Sequence, residues 1–211
     1  MFGEIFPCPE CDDYDREQRV ERFAGLPAAF KDWTFENLEI HEGIEPVVKY
    51  AKFYAKGQLD AKWFVMGGTV GWAKTHIGVS ILNARKANPS WGQANGKYVS
   101  CPQFLEELRQ GYDNNTYQHT LWMYQEVRLL LLDDVGTEYR KRAGGISWAD
   151  EKLYLLLNHR LINRLETIIT TNIPVEDMDV RLADRILDDR PGMSAVFIKS
   201  LPSYRTGVKR G

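Results

Sequence analysis

The sequence predicts an α/β fold in which a parallel sheet is covered by helices on both faces. Apolar runs of strand length alternate along the chain with helix-compatible segments, and polar residues follow two of these runs directly. Such alternation is typical of a doubly wound sheet, whose strands are buried on both faces and carry ligands at their carboxyl ends. The predicted strands are residues 61–66, 98–100, 129–132, 165–172 and 195–198, and the helices between and around them are residues 46–57, 74–87, 102–109, 121–127, 148–164 and 179–187.

Length and composition indicate one soluble domain with a short appendage. The chain has 211 residues, of which 44% are hydrophobic and 27% charged. A net charge of −2 provides no general attraction to nucleic acid, so any DNA contact must come from a local patch. No apolar run approaches the length of a membrane span, and 3 cysteines are too few for a disulfide framework. We therefore expect a cytoplasmic protein without membrane association.

A glycine-rich loop follows the first predicted strand. Residues 68–75 match the phosphate-loop template Gly-x-x-x-x-Gly-Lys-[Ser/Thr] except that Ala73 replaces the second glycine. In such a loop the backbone N–H groups point at phosphate oxygens, Lys74 reaches the β- and γ-phosphates, and the Thr75 hydroxyl binds Mg²⁺. The residues that we assign to nucleotide binding are Gly68, Thr69, Val70, Gly71, Trp72, Ala73, Lys74, Thr75 and His76.

Ala73 departs from the template, and the free-energy cost of this departure can be approximated. If the loop needs a positive φ at this position, alanine costs on the order of 1 kcal/mol relative to glycine. That cost is small beside several phosphate contacts. We therefore expect ATP binding to be kept, with hydrolysis that is slow or depends on a partner.

Acidic and amide side chains follow two other predicted strands. Asp133 and Asp134 come directly after four consecutive leucines, and Asn172 ends the strand predicted at residues 165–172. A buried strand that meets a solvated turn explains the leucines but not both carboxylates. We interpret Asp133 as the Mg²⁺ ligand, Asp134 as the acid that orients the attacking water, and Asn172 as a contact to the γ-phosphate or to that water.

The first 40 residues form a lead-in rather than a domain, and residues 41–211 are predicted to form the ATP-binding domain. Cys8 and Cys11 have the spacing of half a zinc site, but the second pair of ligands is missing. They are either part of a zinc site completed elsewhere or a remnant. A basic loop at residues 139–145 is a candidate DNA or subunit contact.

Four motifs in this order resemble the AAA+ P-loop ATPases of the helicase-loader family, the DnaC- and DnaI-like proteins, with the IstB-like transposition helpers as close relatives. The motifs are Gly68-Thr-Val-Gly-Trp-Ala-Lys-Thr-His76, Leu131-Leu-Asp-Asp-Val-Gly-Thr-Glu138, Thr170-Thr-Asn172 and Arg181-Leu-Ala-Asp-Arg185. Ser203-Tyr-Arg205 near the C-terminus is similar to the same branch. The resemblance extends from about residue 25 to the end and implies a shortened N-terminal region.

The resemblance implies roles for further residues. Asn172 corresponds to the first sensor, and Arg205 to the second sensor of the same chain. Arg181 matches the arginine that completes the ATP site of a neighbouring copy, which implies a homo-oligomer. The implied cofactors are ATP and Mg²⁺, and the implied partners are a replicative helicase and single-stranded DNA. Two alternatives stay open: a helper ATPase for a transposase, and an adaptor that binds ATP without turning it over.

Overall fold

A parallel β-sheet lies at the centre of the molecule. The computed structural model describes residues 24–88, 95–136, 147–174, 177–188 and 190–201. Cys8, Cys11, Arg205 and the basic loop at residues 139–145 lie outside these ranges. Within them, five parallel strands form one sheet in the order β2-β3-β4-β1-β5. The strands are β1 (Ala61–Gly68), β2 (Gly96–Ser100), β3 (Leu129–Val135), β4 (Glu166–Thr171) and β5 (Gly192–Lys199).

Helices cover both faces of the sheet, which confirms the predicted fold class. In the described ranges they are α1 (Glu45–Ala55), α2 (Lys74–Lys86), α3 (Cys101–Asp113), α4 (Tyr117–Glu126), α5 (Trp148–Ile162) and α6 (Val180–Ile186), and a 3₁₀ turn spans Ala28–Phe30. Side-chain caps define three of the helix starts. Ser100 accepts a hydrogen bond at the start of α3, Ser147 and Asp150 form a capping box on α5, and Asp179 caps α6.

Successive residues of the strands pack into two separate hydrophobic cores, one on each face of the sheet. On β1, Trp63 and Val65 pack with α3, α4, α5 and α6, whereas Phe64 and Met66 pack with α1 and α2. The four leucines of β3 divide in the same way between the two faces. Because both faces of β1 and β3 are covered, their apolar runs in the sequence are continuous rather than alternating.

The connection between α3 and α4 differs from the prediction, which ended one helix near residue 109 and began the next at residue 121. In the structure α3 continues to Asp113 and α4 begins at Tyr117. Gly111 explains the difference, since a Cβ at this position would lie 2.8 Å from the Tyr117 Cα. Glycine lets the two helices meet closely, so here it marks a contact between helices rather than a break.

The lead-in packs on the α1/α2 side of the sheet. Phe35 and Leu38 are buried in the core that α1 and α2 share. The Asn83 amide of α2 donates hydrogen bonds to the carbonyls of Lys31 and Trp33, at 3.2 and 2.9 Å. The described part of the lead-in is thus joined to the helix that follows the glycine-rich loop.

Candidate nucleotide-binding site

The glycine-rich loop is built against the end of β5. Gly68 has φ 106°, and a Cβ at this position would lie only 2.0 Å from the Lys199 carbonyl oxygen. The Thr69 N–H donates to that same oxygen at 3.1 Å. Because a side chain at residue 68 would collide with backbone, only glycine permits this approach.

Ala73 adopts the conformation that the template assigns to glycine. Its φ and ψ are 69° and 18°, and it immediately precedes α2. The left-handed region costs an alanine roughly 1–2 kcal/mol. Ala73 is only 5% exposed, so packing around its methyl group offsets part of this strain. The substitution in the template therefore leaves the backbone path of the loop intact.

Lys74 lies over the loop that precedes it. Its ammonium group donates to the carbonyl oxygens of Gly68 and Thr69, at 3.2 and 2.6 Å. The same group lies 5.1 Å from the centroid of the Trp72 ring. The positive charge is therefore held against the loop backbone, where it can meet an anion bound by the loop N–H groups.

The hydroxyl of Thr75 reaches the first acid of the pair on β3. Its Oγ1 lies 3.0 Å from Oδ1 and 3.2 Å from Oδ2 of Asp133. Burial raises the pKa of the Asp133 carboxyl above its ordinary value, although hydrogen bonds from Thr170, Thr75 and Tyr98 oppose the shift. A buried carboxylate with a raised pKa is stabilised by a nearby cation. The pair Thr75 and Asp133 thus fits a Mg²⁺ ion, which takes few protein oxygens and completes its shell with water and phosphate.

An irregularity in β3 places the two acids. Leu132 pairs with Ile169 and Val135 with Thr171, so Asp133 and Asp134 together oppose the single residue Thr170. Asp134 has φ 59°, a left-handed conformation that aspartate tolerates better than most residues. Such a bulge changes the direction of side chains that would otherwise alternate between the faces of the sheet.

Thr170 connects the two acids across this bulge. Its hydroxyl donates to Asp133 Oδ1 at 2.6 Å and accepts a hydrogen bond from the Asp134 N–H at 2.8 Å. Tyr98 on β2 donates its phenolic hydrogen to Asp133 Oδ2 at 3.3 Å. Neither Thr170 nor Tyr98 was expected from the sequence to have a role of its own in the site. Thr170 could have been noticed from its place in the Thr-Thr-Asn motif, whereas no local signal marks Tyr98.

Asn172 is brought beside the second acid, as its place after β4 suggested. Its amide nitrogen donates to Asp134 Oδ1 at 2.6 Å. The amide oxygen is buried, and among the described residues it has no hydrogen-bond partner. A buried acceptor of this kind is suited to a water molecule or a ligand group.

His76 lies at the start of α2 and faces the lead-in. Its ring stacks on Trp33 at 4.6 Å, and Nε2 lies 3.1 Å from the Thr34 carbonyl oxygen and 3.2 Å from Asn37 Oδ1. Since both neighbours are acceptors, Nε2 carries the hydrogen. Burial lowers the pKa of His76, and the hydrogen bond to Thr34 opposes the shift. These contacts join the nucleotide loop to the lead-in, and a direct contact of His76 with nucleotide stays a prediction.

Arg181 lies at the first turn of α6, beside Asp179 and Tyr154. Its Nε donates to Asp179 Oδ1 at 3.1 Å, and its guanidinium lies 5.1 Å from the centroid of the Tyr154 ring. The side chain remains 39% exposed. It is therefore accessible to a second molecule.

Zinc receives no support from the described residues, which contain no group of three or more His, Cys, Asp or Glu side chains that could hold a metal ion. Cys8 and Cys11 lie outside these residues, so their zinc site stays a prediction. No helix in the described ranges is both long enough and apolar enough to cross a membrane.

Comparison with known proteins identifies a family to which the chain is similar. A family model described as IstB-like ATP binding protein matches residues 54–191, which include the glycine-rich loop, the acidic pair, Asn172 and Arg181. The replicative helicase loader DnaI of Bacillus subtilis is 24% identical over 187 residues, which are 83% of this chain and 56% of that protein. An ATP-binding protein of insertion sequence IS232 from Bacillus thuringiensis is 29% identical over 128 residues, 57% of this chain and 46% of that protein.

A solved structure has the same fold. The crystal structure of the DnaC helicase loader superposes with a TM-score of 0.67 at 17% identity, over 82% of this chain and 100% of that one. The chain thus shares the fold of an AAA+ P-loop domain. It spans 56% and 46% of the length of the two curated relatives named above.

Proposed function

Because the chain belongs to the IstB-like ATP-binding protein family, we propose that it is an AAA+ ATPase that binds ATP and Mg²⁺ and loads a replicative helicase onto single-stranded DNA. In this proposal residues 41–211 form the ATP-binding domain of a cytoplasmic protein, and residues 1–40 are a lead-in. Two contacts at the carboxyl edge of the sheet carry the nucleotide part of the proposal. Thr75 at the start of α2 contacts Asp133 of β3, and Asn172 after β4 contacts Asp134 of β3.

In this proposal some residues of the site bind the nucleotide and Mg²⁺, and others orient the attacking water. Lys74 and the loop N–H groups bind the phosphates, and Thr75 and Asp133 hold Mg²⁺. Asp134 orients the attacking water, with Asn172 holding the Asp134 carboxylate in place. Bound Mg²⁺ would neutralise phosphate charge and polarise the phosphoryl group.

Arg181 extends the proposal to an oligomer. Its side chain is exposed, and its contacts with Asp179 and Tyr154 lie on its own subunit. We assign it to the ATP site of a neighbouring copy, where an arginine stabilises the charge that develops on the phosphoryl group. Arg205 is assigned to the second-sensor position of its own chain.

A surface formed by α3, α4 and α5 supports the binding of single-stranded DNA. Tyr112 is 52% exposed and stacks on Tyr117 at 4.4 Å. The Lys152 ammonium lies 5.5 Å from the Tyr117 ring, and the Arg109 guanidinium lies 4.9 Å from the Trp148 ring. Tyr112 is exposed, whereas Tyr117 and Trp148 are half-buried. Aromatic rings beside basic side chains are the usual means by which proteins stack bases and contact phosphates. Lys152 is buried and pairs with Glu151 at 2.9 Å, and Arg109 pairs with Glu106 at 3.6 Å, so the proposed contact with DNA rests on the exposed ring of Tyr112 rather than on excess positive charge.

A helper role in transposition is the second candidate. The relative from insertion sequence IS232 has the higher identity of the two named relatives, 29% against 24%. Both roles use the same ATP site and differ in the motor or recombinase that is bound. Co-purification with a hexameric helicase or with a transposase separates them.

Calorimetry with ATP and Mg²⁺ tests the nucleotide part of the proposal. Lys74→Ala is expected to abolish nucleotide binding, because the charge that faces the phosphates is lost. Lys49→Ala on the exposed face of α1 is the matched control and should bind as the wild type does. Equal affinities of the two variants would contradict the assigned loop.

Phosphate release in the presence of single-stranded DNA and partner separates an ATPase from a pure adaptor. Sustained turnover that Asp134→Asn abolishes is expected for an ATPase. Binding without turnover would favour the adaptor.

Anisotropy of a labelled single-stranded oligonucleotide tests the DNA surface. Tyr112→Ala should weaken binding by about 1–3 kcal/mol, the usual contribution of one stacked base. Tyr50→Ala, which removes a tyrosine of similar exposure from α1, is the control. If both variants bind alike, DNA does not use the surface on α3, α4 and α5.

A further inference from the structure

Tyr98 lies on the edge strand β2 and contacts the proposed Mg²⁺ ligand on the neighbouring strand. Its hydroxyl donates to Asp133 Oδ2 at 3.3 Å, and the residue is only 6% exposed. In the register of β2 and β3, Tyr98 pairs with Leu131, two residues before Asp133. The phenol therefore reaches along the sheet towards its carboxyl edge.

Both oxygens of Asp133 receive hydroxyl hydrogens. Thr170 donates to Oδ1 at 2.6 Å, and Tyr98 donates to Oδ2 at 3.3 Å. Thr75 lies within hydrogen-bond distance of both oxygens, but its hydroxyl is itself assigned to Mg²⁺. When Thr75 turns its oxygen to the metal, Thr170 and Tyr98 remain to set the rotation of the carboxylate. Donors at both oxygens leave the carboxylate one preferred orientation.

Residues of the lead-in hold Tyr98 from the other side. The Phe30 ring meets the Tyr98 ring edge-on, with centroids 5.8 Å apart and an interplanar angle of 85°. Gly25 has φ 65°, and a Cβ there would lie 2.8 Å from the Tyr98 carbonyl oxygen. Phe30 also stacks on Trp33 at 4.2 Å. The side chain and the backbone of Tyr98 are thus both in contact with the lead-in.

We propose that Tyr98 is a positioning residue for Mg²⁺: its phenol orients the Asp133 carboxylate, and Phe30 of the lead-in holds the phenol in place. This inference rests on the proposed function of the site. Hydrogen-bond partners of metal ligands typically change metal affinity by 10- to 100-fold when removed. The Tyr98 bond is long, so the lower end of that range is expected.

The test compares two Tyr→Phe variants of the full chain. The probe is N-methylanthraniloyl-ATP, titrated at increasing Mg²⁺ and separately in EDTA. Tyr98→Phe is expected to raise the half-saturating Mg²⁺ concentration by about tenfold and to leave the affinity in EDTA within about twofold. Tyr124→Phe is the control, because Tyr124 also donates its phenolic hydrogen to a carboxylate, that of Glu107 at 2.5 Å, but on the other face of the sheet.

A Mg²⁺ requirement of Tyr98→Phe equal to that of Tyr124→Phe would overturn the inference, as would an equal loss of affinity with and without Mg²⁺. Phe30→Leu, which keeps the phenol but removes the ring that contacts it, should raise the Mg²⁺ requirement in the same direction. No rise in this variant would overturn the role of the lead-in. If the wild-type chain binds no analogue even with abundant Mg²⁺, the proposed function is wrong and the inference falls with it.

Discussion

The amide of Asn172 holds the carboxylate of Asp134 through a hydrogen bond of 2.6 Å between Nδ2 and Oδ1. Asp134 is further fixed through its backbone, which donates to Thr170 at 2.8 Å. Asn172 and Asp134 lie at the ends of two adjacent parallel strands, β4 and β3. The orientation of the acid therefore depends on a neighbouring strand rather than on its own.

Asn172→Ala tests whether this hydrogen bond positions the acid. Loss of the amide frees the Asp134 carboxylate to rotate, so phosphate release should fall by about 100-fold, the usual effect of a misplaced catalytic group. Nucleotide affinity, measured by calorimetry, should change little. Asn163→Ala is the control, because at the end of α5 the Asn163 amide donates to the His159 carbonyl, away from the acidic pair. Normal turnover of the Asn172→Ala variant would contradict the role of Asn172 in orienting the Asp134 carboxylate.

Ala73 provides a test of backbone strain. Ala73→Gly relieves the positive φ but loses a buried methyl group, so the free energy of unfolding should change by less than about 1 kcal/mol. Ala73→Val should destabilise by about 2 kcal/mol or more, because a β-branched residue is poorly tolerated at this φ. Urea denaturation measures both.

The matched position for this comparison is Ala84, which is exposed within α2. At this position the Ala84→Gly variant should be less stable than the Ala84→Val variant, because glycine has the lower helix propensity. The same order of stability at both positions would mean that the φ of Ala73 does not govern its substitutions.

Arg181→Ala should spare nucleotide binding and reduce turnover on the order of 10³-fold at protein concentrations where copies assemble. The reason is that, in the proposed oligomer, the arginine would act on the ATP site of a neighbouring copy. Phosphate release across a protein dilution series is the measurement. Arg190→Ala is closely matched, because Arg190 also pairs with an aspartate two residues earlier, Asp188. Undiminished turnover of Arg181→Ala at high concentration would refute the assignment in trans.

The half-buried side chain of His76 leads us to expect a loss of stability in mild acid. Burial lowers its pKa in the folded state, so just below the ordinary histidine value the unfolded chain binds a proton that the folded chain does not. Stability should therefore fall as the pH decreases from about 7 towards the folded pKa. Urea denaturation of wild type and His76→Gln should give the steeper loss in wild type. Equal slopes would show that His76 does not contribute to the pH dependence.

Arg160 predicts the largest effect of a single substitution on stability. It is fully buried and donates to the carbonyls of Tyr124, Val127 and Glu166 and to the Thr167 hydroxyl. Arg160→Met would leave these buried acceptors unsatisfied and should cost about 3 kcal/mol or more of unfolding free energy. Arg128→Met, which alters an exposed arginine just before β3, should cost far less. Similar denaturation midpoints would contradict this account of Arg160.

The sequence by itself determined the alternation of strands and helices, the loop at residues 68–75 and the acidic pair at the end of β3. These features are local: apolar runs mark buried strands, and Lys74 and Thr75 are neighbours along the chain. Only the tertiary structure decided that Ala73 takes a left-handed conformation and that Asp133 and Asp134 share a bulge. It also decided that Tyr98 and Thr170 contact the first acid. The physical reason is that these contacts depend on strand register and on the approach of segments far apart in sequence, which the residues of one segment do not encode.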